Sequence, residues 1–94
     1  MKNDQDAAAI MNELFKILTK KHADYGPFNI AHAPGGAMNG LIVRMHDKIA
    51  RLNNLTYNNS ATPNYESIED TLIDLANYAI IGLLVQRGQW EGIE

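Results

Sequence analysis

The feature that most constrains the fold is the segment 65–87, in which apolar residues recur with the period of an α-helix. Its first half carries one apolar face, whereas its second half is apolar nearly all round. A helix of that kind is buried from several sides, and three helices cannot enclose it within one chain. We therefore expect a subunit interface there, in at least a dimer. The apolar residues are Ile68, Leu72, Leu75, Ala79, Ile80, Ile81, Leu83, Leu84 and Val85.

Two further segments have helical periodicity, so the sequence predicts an all-α, compact bundle of three main helices. The first is 4–23, with one buried face that includes Ile10, Met11, Leu14 and Phe15. The second is 39–53. Between them, residues 24–40 are rich in glycine and proline, which predicts a long, shaped loop with a functional role or a brace. Residues 53–64 predict a second, exposed loop.

Composition narrows the class of protein. The 94 residues with 46% hydrophobic side chains predict one domain, 1–94, with a single core. A net charge of -3 argues against non-specific binding to nucleic acid or to acidic membranes. Without cysteine there is no disulfide framework, thiolate zinc site or thiol nucleophile, which favours a cytoplasmic protein. The most apolar run, Tyr78 to Val85, is too short to span a bilayer, so we expect no membrane association.

The strongest chemical signal is an acidic stripe on the third predicted helix. Glu66, Asp70 and Asp74 follow one another at intervals of four residues, and Asn77 continues the stripe. Like charges at this spacing repel, so they need cations or water. Carboxylate oxygens suit Mg²⁺ or Mn²⁺, which predicts a metal-phosphate site with these three acids as catalytic residues and metal ligands. The alternative is that the stripe is neutralised by cations of the second helix or faces solvent.

The second predicted helix carries three cations around one carboxylate on its polar face. Arg44, Asp47, Lys48 and Arg51 share that face. Arginine and lysine along one face bind phosphate oxygens, which makes these residues candidates for nucleotide binding. An ion network between the two helices fits the same pattern. Tyr25, Phe28 and Trp90 are candidates for stacking on a base, although such aromatic residues are more often packing residues.

Other motifs exclude familiar sites. Residues 35–40 have the glycines of a P-loop, but Leu41 and Ile42 stand where lysine and serine or threonine are required, and no strand precedes them. His22, His32 and His46 form no pair at helical spacing and have no cysteine partners, which argues against a zinc site.

Three segments resemble the nucleotide modification associated domain family, found largely in phages, and they come in that family's order. They are KHADYG at residues 21–26, LIVRMHDKIARL at 41–52 and ESIEDTLIDLANY at 66–78. The family looks like a branch of the all-α MazG-like nucleoside triphosphate pyrophosphohydrolases, which release monophosphate and pyrophosphate with Mg²⁺. The resemblance implies a helical dimer or tetramer, in the host cytoplasm if the chain is phage-encoded. The positions that match the family's motif are Asp24, Tyr25, Arg44, Asp47, Lys48, Arg51, Glu66, Asp70 and Asp74.

The chain departs from the MazG-like pattern in its acidic residues. That pattern has Glu-x-x-Glu on one helix and Glu-x-x-Asp on the next. The second helix here offers only Asp47. If Asp74 matches the aspartate of Glu-x-x-Asp, Thr71 takes the place of its glutamate. Such a set would hold fewer metal ions, or none.

Three functional hypotheses follow. The first is a Mg²⁺-dependent nucleotide pyrophosphohydrolase acting on a nucleoside triphosphate. The second is a non-catalytic protein that binds and sequesters a modified or cyclic nucleotide. The third is a structural adaptor whose apolar third helix recruits a partner.

Overall fold

The computed structural model describes residues 1–58 and 65–93, with the backbone alone at residues 65 and 66. Within these ranges the chain forms helices and no strand, which confirms the all-α prediction. The long helices are α1 (Asp4–Tyr25), α3 (Ala37–Asn53) and α4 (Tyr65–Gln86). A four-residue helix, α2 (Phe28–Ala31), lies between α1 and α3. A π-helical turn, Asn54–Asn58, follows α3 directly.

The long glycine and proline loop predicted for 24–40 is wrong in its extent, because helices occupy much of it. Gly26, with φ of 70°, ends α1, and Pro27 immediately precedes α2. Proline is tolerated there because the first N–H groups of a helix have no partner within it. Gly36, with φ of 99°, precedes α3, which begins two residues earlier than predicted. Both glycines adopt a conformation that other residues rarely reach.

The exposed loop predicted for 53–64 is also corrected in part. Asn53 is the last residue of α3, and Asn54–Asn58 continue it as a π-helical turn. The rest of that prediction, residues 59–64, lies outside the described residues.

The core lies where α2, α3, α4 and the C-terminal segment meet. Its buried side chains come from all four: Ile30 of α2, Ala37 and Leu41 of α3, Ile81 of α4, and Trp90. Leu41 is fully buried. The predicted apolar surface of α4 is only partly covered within the chain, since Leu72 and Leu83 are about half exposed.

The predicted buried face of α1 is a further correction, because no residue of this helix is buried. Ile10, Met11 and Phe15 are each more than half exposed, while Leu18, one turn further on, packs against the core. A 22-residue helix is about 33 Å long, and only its C-terminal half reaches the core of this small domain. In the described ranges no helix combines the length and apolarity needed to cross a bilayer.

Candidate functional site

A pocket of about 260 Å³ opens where the C-terminal half of α1 meets α3, α4 and the C-terminal segment. Its lining combines three cations, one carboxylate, two amides and a set of rings. The charged side chains are Lys21, Arg44, Lys48 and Asp74. The amides are Asn29 and Asn77, the rings are His22, Tyr25, Tyr78 and Trp90, and the remaining lining residues are Leu18, Gly26, Ile30 and Ile81.

Asp74 of α4 is the centre of an ion network in this pocket. One carboxylate oxygen lies 2.8 Å from the Lys21 ammonium and the other lies 2.9 Å from the Lys48 ammonium. Burial disfavours the charged carboxylate, but hydrogen bonds from Lys21 and Lys48 outweigh it and hold the pKa of Asp74 below its ordinary value. The hydrogen bond to Asp74 correspondingly raises the pKa of Lys21. Asp74 and Lys21 are therefore both charged at neutral pH.

Arg44 adds a third cation to the same pocket. Its Nη2 donates to the Asn29 backbone oxygen at 3.3 Å, which links α3 to the short helix α2. Three cations thus face a single carboxylate in the pocket, although the whole chain carries a net charge of -3. The pocket is a local region of positive charge.

Asn77, one turn after Asp74, is a buried polar residue of the pocket wall. Its side chain is 6% exposed, and its Nδ2 donates to the Leu14 backbone oxygen of α1 at 3.3 Å. Its Oδ1 is buried and, within the described part of the chain, has no hydrogen-bond partner. Native proteins rarely leave a buried oxygen in that state.

Thr71 lies three residues before Asp74 on α4, at the position that a resemblance to MazG-like proteins would assign to a glutamate. It is fully buried, and its hydroxyl donates to the Ser67 backbone oxygen at 2.6 Å. A hydroxyl committed to the helix backbone in this way does not replace a metal-binding carboxylate.

The C-terminal segment closes one side of the pocket through Trp90. The indole Nε1 donates to the Pro27 backbone oxygen at 2.9 Å, and the ring packs edge-on against His22, with centroids 5.1 Å apart. Tyr25 also lines the pocket and is 70% exposed, so its ring is accessible to a ligand. Phe28 is 52% exposed, stacks on His32 at 4.7 Å and is not part of the pocket wall.

The structure brings together four of the site residues predicted from the sequence: Tyr25, Arg44, Lys48 and Asp74. Asp24, Asp47, Arg51 and Asp70 are exposed and lie outside the lining of the pocket. The side chain of Glu66 lies outside the described residues. The ion network between helices, which the sequence left open as an alternative, is present for Lys48 and Asp74.

The described donor set does not fit a bound Mg²⁺ or Mn²⁺ ion. Both oxygens of Asp74 are taken by ammonium groups, and Asp70 is exposed. Among the residues whose side chains are described, no three histidine, aspartate or glutamate side chains lie close enough together to hold a metal. The predicted metal site at Glu66, Asp70 and Asp74 stays a prediction.

Several pocket residues were not among the predicted site residues, most importantly Lys21 and Asn77. For two of them the sequence held a signal. Lys21 begins the first of the segments that resemble the family, and Asn77 continues the acidic stripe on α4. Trp90, a candidate for base stacking or for packing, lines the pocket but is 8% exposed and belongs to the core, so it is a packing residue.

Comparison with known proteins adds a family assignment. The family model described as nucleotide modification associated domain 1 matches residues 21–85, a range that includes all four charged residues of the pocket and Asn77 but not Trp90. No curated protein and no solved structure matches the chain.

Proposed function

We propose that this chain, which belongs to the nucleotide modification associated domain 1 family, is a nucleotide-binding protein. The observation that supports this proposal is the surplus of positive charge in the pocket, where Lys21, Arg44 and Lys48 face the single carboxylate of Asp74. Charge-assisted hydrogen bonds to phosphate oxygens are about twice as strong as neutral ones. The phosphate group of the nucleotide lies between these cations.

The three cations keep donors for a phosphate. An ammonium group carries three N–H donors and a guanidinium carries five, so neither the pairs with Asp74 nor the bond from Arg44 to Asn29 uses them all. In the free protein, Asp74 reduces the repulsion between the two lysines and fixes the positions of their ammonium groups. The ligand then meets cations that are already oriented, which lowers the entropic cost of binding.

The nucleobase lies against the exposed ring of Tyr25 at the mouth of the pocket. Stacking of a base on an aromatic side chain contributes about 1–3 kcal/mol. Phe28 stacks on His32 and does not line the pocket, and Trp90 is buried in the core. Tyr25 is therefore the strongest of the three candidates from the sequence.

Mg²⁺-dependent hydrolysis of a nucleoside triphosphate is the second candidate function. It is favoured by the ionised carboxylate of Asp74, which lies among cations that would stabilise phosphate charge. The described side chains supply too few metal ligands for us to assign a step to a metal. Binding without turnover fits the same pocket, and it would make the protein a sequestering factor for a modified or cyclic nucleotide.

We also propose that the protein is a homo-oligomer.

The test is a binding panel with a matched pair of variants. Nucleoside triphosphates, modified nucleotides and cyclic dinucleotides are incubated with the protein, with and without Mg²⁺, and free and bound species are identified by mass spectrometry. For the tightest ligand, Lys21→Met should weaken binding roughly 10- to 100-fold in calorimetry, since a hydrogen bond to a charged group is worth about 1.5–3 kcal/mol. Lys20→Met is the control, because Lys20 is exposed and lies outside the pocket lining.

The outcomes separate the candidates. Affinity that survives a chelator supports binding alone, and Mg²⁺-dependent release of pyrophosphate supports the hydrolase. If no nucleotide binds, or if both lysine variants weaken binding equally, the pocket is not the binding site.

A further inference from the structure

The side chain of Asn77 gives this pocket a specificity for which its cations do not account. We infer that Asn77 Oδ1 accepts a hydrogen bond from an N–H or O–H group on the nucleoside part of the ligand. This inference rests on the proposed function and adds what the pocket selects: a base amine or imide, or a sugar hydroxyl, placed next to the phosphate-binding cations.

The orientation of the Asn77 amide is fixed by its other partner. A backbone carbonyl only accepts hydrogen bonds, so the Nδ2 group must face the Leu14 oxygen, 3.3 Å away. The opposite end of the amide is then the oxygen, which can only accept. Oδ1 is the buried side-chain atom that lacks a partner in the described part of the chain.

The position of Asn77 makes a ligand the fitting donor. The residue lines the pocket and is 6% exposed, so bulk water has little access to it. It follows Asp74 by three residues on α4, which is about 4.5 Å along the helix axis. A nucleotide whose phosphate binds Lys21 and Lys48 beside Asp74 therefore brings its sugar or its base to Asn77. A ligand with an N–H or O–H group at this position pairs Oδ1 on binding and removes the free-energy penalty of an unsatisfied buried acceptor. A ligand without that group leaves the penalty in place, so it binds more weakly.

The experiment compares ligands that differ by one donor. Calorimetry on the wild-type protein measures the affinities of four pairs of nucleotides that carry the same number of phosphates and differ in the base. The pairs are the nucleotides of adenosine and purine riboside, cytidine and its 4-deamino analogue, guanosine and inosine, and uridine and N3-methyluridine. The 2′-deoxy and 3′-deoxy forms of the tightest ligand test the sugar hydroxyls. We expect at least a tenfold loss of affinity for either the base analogue or one deoxy form. The analogue that loses affinity identifies which group contacts Asn77.

Two variants then assign that discrimination to Asn77. In Asn77→Leu, the donor-bearing ligand should bind no better than its analogue. In Lys21→Met, the donor-bearing ligand and its analogue should both bind more weakly, because this lysine contacts the phosphate. The ratio of their two affinities should stay that of the wild-type protein. If Asn77→Leu does not fold, as judged by circular dichroism, Asn77→Ala, which also removes Oδ1, makes the same test.

Equal binding of every pair to the wild-type protein overturns the inference and leaves nucleotide binding standing. Discrimination that persists in Asn77→Leu overturns it too, since another group then reads the donor. Failure of the whole panel to bind overturns the proposed function itself.

Discussion

The two halves of α1 carry the same apolar periodicity but lie in opposite environments. In the C-terminal half, Leu18 packs against the core, and Lys21 and His22 line the pocket. In the N-terminal half, Ile10 and Met11 are 55% and 68% exposed. A helical period shows which side chains share a face. It does not show how far along the helix a partner surface extends.

Contacts between distant parts of the sequence account for the difference. Lys21 bonds to Asp74 across 53 residues, and the Leu14 carbonyl accepts from Asn77 across 63. Trp90 reaches Pro27, just beyond the end of α1, across another 63. Leu14 is the first residue of α1 held by such a bond, and Ile10 lies one turn before it. The pocket and the covered half of α1 are therefore one structural unit.

The largest expected effect comes from removing Trp90, which covers the C-terminal half. Trp90→Ala should lower the free energy of unfolding by about 3–5 kcal/mol, because it leaves a cavity beside Ile30 and Leu41 in the core. Trp90→Phe keeps a ring there and loses the hydrogen bond to Pro27, so its cost should fall to the order of 1 kcal/mol. Urea denaturation measures both. If Trp90→Ala costs no more than Trp90→Phe, the C-terminal segment does not complete the core.

Removing the charge of Asp74 should have a smaller effect that depends on pH. Two partly exposed ion pairs contribute roughly 0.2–1 kcal/mol each, so Asp74→Asn should cost about 1 kcal/mol near neutral pH. Burial opposes the charge, but the hydrogen bonds from Lys21 and Lys48 prevail and keep the pKa of Asp74 below its ordinary 3.8. The unfolded chain takes up this proton more readily than the folded one. The stabilisation is therefore present above pH 3.8 and is lost as the pH falls through the lowered pKa.

Urea denaturation near pH 7 and near pH 3 tests this dependence, and the gap between wild type and Asp74→Asn should shrink at the lower pH. Asp6→Asn is the control, since Asp6 is exposed in the first turn of α1. The raised pKa of Lys21 predicts the opposite dependence at alkaline pH, where the stabilisation from this lysine is lost as the pH rises above 10.5. A gap that stays constant with pH would show that the Asp74 pairs do not stabilise the fold.

The sequence predicted the long helices and part of the pocket for the same reason. Helical spacing placed Arg44 and Lys48 on one face of α3 and Asp74 on a face of α4, and those residues do line the pocket. Helical spacing failed where contacts are long-range. Lys21 and Asn77 reach the pocket through the packing of α1 on α4, and that packing is set by tertiary contacts between helices.

The errors in the loop between α1 and α3 have a different physical cause. Glycine and proline predict a break in regular structure, which is correct for Gly26 but incomplete for Pro27. Proline is also compatible with the start of a helix, and α2 begins directly after it. Gly26 thus ends α1 and Pro27 admits α2, a distinction that composition does not make.

The smallest expected effect concerns the N-terminal half of α1. Met11→Ala should change the stability of an isolated chain by less than about 0.5 kcal/mol, because the side chain is already 68% exposed. If a second copy covers Ile10 and Met11 in the proposed homo-oligomer, the loss should grow with protein concentration, since association stabilises the folded chain by mass action. Denaturation at two protein concentrations measures this loss, and sedimentation of the wild-type protein and of the variant gives their oligomeric states. Lys16→Ala is the control, because Lys16 is an exposed residue of the same helix. A monomeric wild-type protein with no concentration dependence would mean that this half of the helix has no partner in a second copy. The contrast between the two halves of α1 would then be a property of the single chain.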